Sequence, residues 1–358
     1  MKVKKKEKNP EYELKNAHLN HIQALAVELM KNDLRFLYTI MCNDKITTPE
    51  YFVALIPYMG LVIDGIEDWI NAYNNSAKGS KILLPTFNSK EQEYYSKMRN
   101  SIKLFEKGYE EVNKQIESNY YSSDDYFSSF GKLKILRRKK YDIYGVLFYN
   151  SIPCNNTILD QIVIPNFSYE TLRSNGKSMR IISTIGGRYI KLFDATKSYT
   201  INKKAHFLIK DFGGKIKSPF GENYNEKFLL FSILCQIQFI IYAVNDFIID
   251  DVSTKLRFSY ILYYYLCYII PQINLHLGLK INMNKKYVSE KFRNAMAHYK
   301  LGVVLKENDV IDNDPMYGLT QMFFNEDFFT VKNNIILELN ALGKQIQKAI
   351  YKNDIDII

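Results

Sequence analysis

Two apolar stretches, residues 228–249 and 258–279, constrain the fold of this chain more than any other feature. Each has the roughly 20 residues that a helix needs to cross a bilayer. Polar side chains interrupt both stretches, and a charge at the centre of a membrane helix is energetically costly. We therefore expect a buried pair of helices in a protein that does not enter the membrane. The interrupting residues are Gln236, Gln238, Asn245 and Asp246 in the first stretch, and Pro271, Gln272, Asn274 and His276 in the second.

Apolar residues also recur at helical spacing on both sides of a central region, residues 131–220. Residues 1–130 are predicted to be an N-terminal helical region, in which helices at 51–73 and 90–116 flank a polar loop. Residues 221–358 are predicted to form a helical bundle, since their helical segments are joined by short connections. Those four segments are 225–249, 254–277, 286–299 and 327–352.

The central region, residues 131–220, has a different pattern. Short β-branched and aromatic runs alternate with Gly and Asn, which predicts strands at 141–148 and 157–164. A hairpin is predicted from 179–185 and 188–193, across a Gly-Gly pair. The predicted fold class is therefore mainly α, and α+β overall.

Positive charge is concentrated in this central region. Residues 131–218 contain 17 Lys and Arg against 5 Asp and Glu, an excess larger than the net +10 of the whole chain. Such segregation suits a surface that meets nucleic-acid phosphates, although a solvated face or anionic lipid would also explain it. The predicted RNA-binding residues are Arg137, Arg138, Lys139, Lys140, Arg173, Lys177, Arg180 and Arg188.

A single short segment, Arg293-Asn294-Ala295-Met296-Ala297-His298, carries the side chains suited to phosphodiester cleavage. Arginine forks onto two phosphate oxygens, and histidine exchanges protons near neutral pH. On an ideal helix Asn294 and His298 share a face, whereas Arg293 lies about 140° from His298. The alternative is a surface arginine beside a structural histidine. We expect His298 to point into a cleft, because the opposite face is apolar, with Phe292, Ala295, Met296 and Tyr299.

The RNAMAH segment, its place near the end of a helical bundle and the apolar helices before it resemble the HEPN superfamily. The resemblance covers residues 221–358 and implies RNA cleavage without metal or cofactor, with the 2'-hydroxyl of the substrate as nucleophile. It implies that His298 is the general acid or base, that Arg293 holds the scissile phosphate and that Asn294 orients His298 or the RNA. Many members add an acidic residue from an earlier helix, for which the matching candidates are Asp246, Asp250 and Asp251.

The resemblance also implies a biological setting. It predicts a homodimer that pairs two motifs in one cleft, acting in bacterial antiviral defence, in abortive infection or as a toxin. RNA, including tRNA, would be the substrate, and an antitoxin or an activating phage factor would be a further partner. The competing hypotheses are a non-catalytic HEPN-like module that binds nucleic acid or scaffolds a partner, and an effector at a membrane.

Metal sites and export are not expected. The cysteines are dispersed without metal-ligand spacing, which favours a reducing compartment. A carboxylate cluster on the 51–73 helix, Asp64, Glu67 and Asp68, is more typical of a solvated helix face than of a metal site. No apolar segment of a signal peptide follows the basic N-terminus, so we expect a cytoplasmic protein. The cysteines are Cys42, Cys154, Cys235 and Cys267.

Overall fold

The structure, a computed structural model, confirms the predicted fold class. It is mainly helical with one three-stranded antiparallel sheet. The predicted boundaries at 130/131 and 220/221 lie outside the described residues, as do Arg137 to Lys140. The described residues are 14, 17–44, 46, 49–76, 81–129, 141–164, 172–213 and 224–351.

The N-terminal region is helical, as predicted. Its elements are α1 (His21–Met41), α2 (Pro49–Ser76), α3 (Ser89–Ser101), a 3-10 turn (Leu104–Lys107) and α4 (Tyr109–Ser129). The single helix predicted over 90–116 is wrong, because the chain breaks between α3 and α4. Gly108 has a φ of +82° and a ψ of 167° there, a conformation that glycine adopts far more readily than other residues.

The sheet has the strand order β2-β1-β3, with β1 (Tyr141–Tyr149) between β2 (Ile152–Asn155) and β3 (Phe207–Gly213). The strand predicted at 141–148 is confirmed. The strand predicted at 157–164 is wrong, since this segment forms helix α5 (Thr157–Val163). The Asn156 side chain caps the N-terminus of that helix. It accepts hydrogen bonds from the backbone amides of Ile158 and Leu159, at 3.1 Å each.

The predicted hairpin is also wrong, because its residues form one helix, α6 (Leu172–Leu192). The buried side chains recur at helical spacing, namely Ser178, Ile182, Ile185 and Tyr189. The glycine pair does not form a turn. A Cβ atom on Gly186 would lie 3.3 Å from the side chain of Met59, so glycine allows α6 to pack closely on α2.

The C-terminal region contains the four predicted helices and two short additional ones. They are α7 (Tyr224–Gln238), which continues as a π-helical segment (Phe239–Asp246), α8 (Ser253–Leu277), α9 (Glu290–His298), α10 (Leu301–Val304), α11 (Pro315–Phe324) and α12 (Phe328–Tyr351). In the described part of the chain, only the stretch Phe228–Asp246 is long and apolar enough to cross a membrane. Of that stretch 72% is buried within the protein, as in a core helix.

Tyrosines of α8 hold the loop that leads into α9. The Tyr260 hydroxyl donates to the Tyr287 carbonyl at 2.9 Å and accepts from the Ser289 amide at 3.1 Å. The Tyr263 hydroxyl donates to the Asn284 carbonyl at 2.6 Å. The first of these bonds is buried and the other two are partly buried, and in such surroundings a hydrogen bond is stronger and an unpaired group is costly. They therefore fix the start of the helix that carries the RNAMAH segment.

Candidate active site

Helix α9 has one buried face and one open face, as its sequence predicted. Phe292 and Met296 are fully buried, whereas Lys291 and Asn294 are exposed and His298 is half-buried. The open face forms one wall of a groove of about 600 Å³. The residues that line this groove, called the His298 groove below, are Lys291, Asn294, Ala295, His298, Lys300, Val303 and Val304.

His298 faces a carboxylate on α2. Its Nδ1 atom lies 2.7 Å from Oδ2 of Asp68, although the angle at the ring N–H is too bent for a well-formed hydrogen bond. Burial lowers the pKa of His298 below 6.5, the negative charges of Asp68 and Asp64 oppose that shift, and Lys300 reinforces it. The imidazole is therefore mainly neutral at pH 7. Its Nδ1 atom is enclosed, and the residue lines the groove, an arrangement that suits a general base.

The three carboxylates of α2 are less solvated than the sequence suggests, although 40% of the Asp68 side chain remains exposed. All three are partly buried, and each has its own partner. Asp64 pairs with Arg99 at 3.4 Å, and Glu67 accepts a hydrogen bond from Tyr189. Burial raises the pKa of Glu67, against the hydrogen bonds it accepts. No group of three or more His, Cys, Asp and Glu side chains among the described residues could hold a metal ion.

The acidic candidates expected from the sequence lie elsewhere. Each has partners remote from the RNAMAH segment, and none of their recorded contacts is with His298. Those partners are Tyr149 and Asn202 for Asp246, Thr200 for Asp250, and Lys332 for Asp251. The carboxylate beside His298 belongs instead to Asp68, which was predicted to be part of a solvated helix face. Gly65, three residues earlier on α2, was the available signal, since a glycine inside a helix can mark a close helix contact.

Arg293 does not line the His298 groove. Its Nη2 atom lies 3.5 Å from Oε1 of Glu106 in the 3-10 turn, and its guanidinium carbon lies 5.2 Å from the ring centre of Tyr264. Only 15% of its side chain is exposed. The structure thus brings Asn294 and His298 together in one groove and turns Arg293 toward the opposite flank of α9.

A buried polar network holds the C-terminal end of α9. The Arg257 guanidinium donates to Asp33, to the Tyr299 hydroxyl and, at 3.0 Å, to the carbonyl of Ala297. Tyr299 donates to Asp33 at 2.5 Å, and Thr254 donates to the other Asp33 oxygen at 2.6 Å. Tyr299 has a φ of +49°, so the helix ends there. The network fixes both residues that flank His298.

A glycine on α2 permits the contact between α2 and α9. A Cβ atom on Gly65 would lie 2.3 Å from the carbonyl oxygen of Ala297, closer than real Cβ contacts allow. Any larger residue would therefore push the end of α9 away from α2. Because Asp68 is less than one turn further along α2, this close approach is what brings Asp68 to His298.

The predicted RNA-binding residues that are described divide into two groups. Lys177 and Arg180 are exposed on the outer face of α6, and Lys191 continues the same face. No acidic residue occurs in α6. Arg188 is instead held by α3 and the segment before it, 3.2 Å from Glu91 and donating to the Thr86 carbonyl at 2.8 Å. Arg173 lies on α6, but its side chain is outside the described part of the structure.

The basic face of α6, defined by Lys177, Arg180 and Lys191, lies on an element that packs on α2, as α9 does. No family model, curated protein or solved structure matches this chain. The HEPN resemblance thus rests on the RNAMAH segment and its helical setting. Function must be argued from the groove, the Asp68 contact and the basic face.

Proposed function

We propose that the protein is a metal-independent endoribonuclease in which His298 is the catalytic base. The observation that carries the proposal is the position of His298, half-buried in a groove with Nδ1 against Asp68. The carboxylate orients the ring and stabilises the imidazolium that forms during catalysis, while burial keeps the resting ring neutral. Hydrogen bonds of this kind are often poorly aligned in free enzymes and tighten when substrate binds.

The proposed reaction is an internal transfer at phosphorus. His298 removes the proton of a ribose 2'-hydroxyl, and the 2'-oxygen attacks the adjacent phosphorus. The bond from phosphorus to the 5'-oxygen breaks, and that oxygen takes up a proton. The products are a 2',3'-cyclic phosphate and a 5'-hydroxyl. Asn294, one turn from His298 on the same face, is placed to orient the histidine or the RNA.

The basic face of α6 is the proposed contact for the RNA backbone. Its side chains are exposed and unopposed by acidic residues on the same helix, so they suit sequence-independent phosphate binding. The HEPN resemblance of the RNAMAH segment implies a homodimer in which one His298 acts as base and the other as acid. We propose a cytoplasmic defence or toxin role on RNA such as tRNA, with an antitoxin or an activating phage factor as partner.

One observation favours a second function, a non-catalytic nucleic-acid-binding or scaffolding module. Arg293, the cation of the RNAMAH segment, is paired with Glu106 and stacked on Tyr264 outside the groove. A segment used only for packing would place its arginine in this way. That alternative predicts RNA binding without any cleavage.

The test compares wild type, His298→Ala and His18→Ala protein on end-labelled tRNA and total RNA in excess EDTA. His18 is exposed and outside the groove, so its variant controls for loss of an imidazole. We expect cleavage by wild type and His18→Ala, cyclic phosphate at the new 3' ends, and no cleavage by His298→Ala. General-base catalysis contributes about 10²- to 10⁴-fold, so the loss should be at least hundredfold.

RNA affinity separates the two functions. Under the nuclease proposal, His298→Ala keeps nearly wild-type RNA affinity while losing cleavage. Salt-sensitive RNA binding by wild type with no cleavage at any protein concentration would favour the binding module. Equal cleavage by wild type and His298→Ala would assign the activity to a contaminant or another site and overturn the role of His298.

A further inference from the structure

We propose that Lys291 and Lys300 form the phosphate-binding pair of the His298 groove, in place of Arg293. The inference rests on the proposed function for its biological meaning, since the phosphate would be that of the RNA cleaved by His298. The anion site itself is defined by the groove and by the two lysines that line it.

Lys291 shares the open face of α9 with His298. The two residues are seven apart, which places them within about 20° of each other on an ideal helix and roughly 10 Å apart along it. Asn294 lies between them on that face. Lys291 is exposed and has no ion-pair partner within the part of the chain that the structure describes. Its ammonium group is therefore available to an anion in the groove.

Lys300 approaches His298 from the other side. Its Nζ atom lies 3.8 Å from the same Asp68 oxygen that faces His298, and 46% of its side chain is exposed. This is a long, solvent-exposed ion pair of the kind that contributes little to stability. A phosphate in the groove would therefore compete readily for Lys300. The same charge helps to lower the pKa of His298, so Lys300 also favours the neutral base.

Arg293 is poorly placed for this task. Its side chain is mostly buried, and reaching the groove would require it to leave both Glu106 and the ring of Tyr264. An ion pair together with a cation–π contact holds it on the opposite flank. We assign Arg293 as a positioning residue that joins α9 to the 3-10 turn. Lysine suits phosphate binding in the His298 groove because its ammonium group is a compact charge on a flexible side chain.

Inorganic phosphate is the probe for the pair, since its binding requires no cleavage. Proton NMR follows the ring protons of His298, assigned by their absence in His298→Ala, as phosphate is added at constant ionic strength. We expect Lys291→Ala and Lys300→Ala each to weaken phosphate binding about tenfold, the usual effect of losing one charge-assisted contact. Lys344→Ala removes an equal charge from the exposed face of α12 and should leave phosphate binding unchanged.

Two further variants test whether Arg293 takes part in phosphate binding in the His298 groove. Arg293→Ala should alter phosphate affinity less than twofold if it folds, as circular dichroism will show. Glu106→Gln keeps the arginine and weakens its tether, and it should also leave phosphate affinity unchanged. Tighter phosphate binding by Glu106→Gln, or a tenfold loss in Arg293→Ala with folded protein, would make Arg293 the anion ligand and overturn the proposal.

The outcomes separate this inference from the nuclease proposal. Phosphate binding that depends on both lysines, in a protein that cleaves no RNA, supports the anion site and rejects the nuclease. RNA cleavage with lysine variants that bind phosphate normally supports the nuclease and rejects the lysine pair. Absence of any phosphate effect on His298 in wild type also rejects the pair.

Discussion

Nδ1 of His298 lies 2.7 Å from Oδ2 of Asp68, across the contact between the last turn of α9 and α2. The two residues are 230 positions apart in the chain. Two carboxylates of α2 act on the titration of His298, and the effect of Asp68 is larger than that of Asp64.

Charge removal around His298 should move its pKa in opposite directions. Asp68 favours the imidazolium, so Asp68→Asn should lower the pKa of His298 further, whereas Lys300→Ala should raise it. NMR titration of the ring protons measures both shifts. A rise in the pKa of His298 in Asp68→Asn would show that the carboxylate does not act on the ring as the geometry implies.

The lowered pKa of His298 also predicts a pH profile. Cleavage by a neutral base should rise with pH, reach half of its maximum below pH 6.5 and level off above the pKa of His298. In Asp68→Asn the rise should move to lower pH, with a maximum at least tenfold lower. The pKa of His298 is lower in the folded protein than in the unfolded chain, so the unfolded chain takes up the proton at higher pH. The free energy of unfolding should therefore decrease as the pH falls below 6.5. In His298→Ala the unfolding free energy should decrease less between pH 7 and pH 5 than in wild type. Urea titrations at the two pH values measure this difference.

The buried network behind α9 should be important for stability. Tyr299→Phe removes the hydroxyl that donates to Asp33 and accepts from Arg257, so each of these residues loses one hydrogen bond. The change should lower the unfolding free energy by about 2 kcal/mol. Arg257→Met leaves a buried carboxylate uncompensated and should cost about 3 to 5 kcal/mol. Lys286→Ala, which breaks an ion pair at an exposed lysine, is the control and should lower the unfolding free energy far less than the other two changes. Equal costs for all three would contradict the network.

Two glycine substitutions should have opposite effects. Gly65→Ala forces a Cβ atom into the Ala297 carbonyl, so it should destabilise the protein by at least about 2 kcal/mol and abolish cleavage. Gly187→Ala places its Cβ atom in open space on α6 and should stabilise by about 0.5 to 1 kcal/mol. Thermal unfolding with an activity assay measures both, and a neutral Gly65→Ala would disprove the close contact.

The basic residues of α6 should separate into binding and structural roles. Lys177→Ala and Arg180→Ala should each weaken RNA binding and reduce the slope of log affinity against log salt by about 1. Thr184→Ala, an uncharged change on the same face, should leave that slope unchanged. Arg188→Ala should mainly lower stability, since it breaks contacts with Glu91 and Thr86. Filter binding over a salt series measures the slopes, and a full effect in Arg188→Ala would contradict this division.

The sequence alone determined the features that depend on neighbouring residues. Apolar periodicity predicted the C-terminal helices and the buried face of α9, and with it the exposure of Asn294 and the half-exposure of His298. The same local reasoning failed at α6. There the β-branched residues and the glycine pair suggested a hairpin, whereas the glycine serves a contact with Met59 that only the folded chain makes.

The tertiary structure alone decided the make-up of the site. Helical spacing placed Arg293 about 140° from His298, and the HEPN resemblance predicted that its long side chain holds the scissile phosphate. Glu106 and Tyr264, from two other elements, drew it away from the groove. Asp68 reached His298 because Gly65 lets α2 and α9 approach. Contacts between residues so distant in sequence depend on how the helices pack, because no local sequence pattern shows which helices will be neighbours.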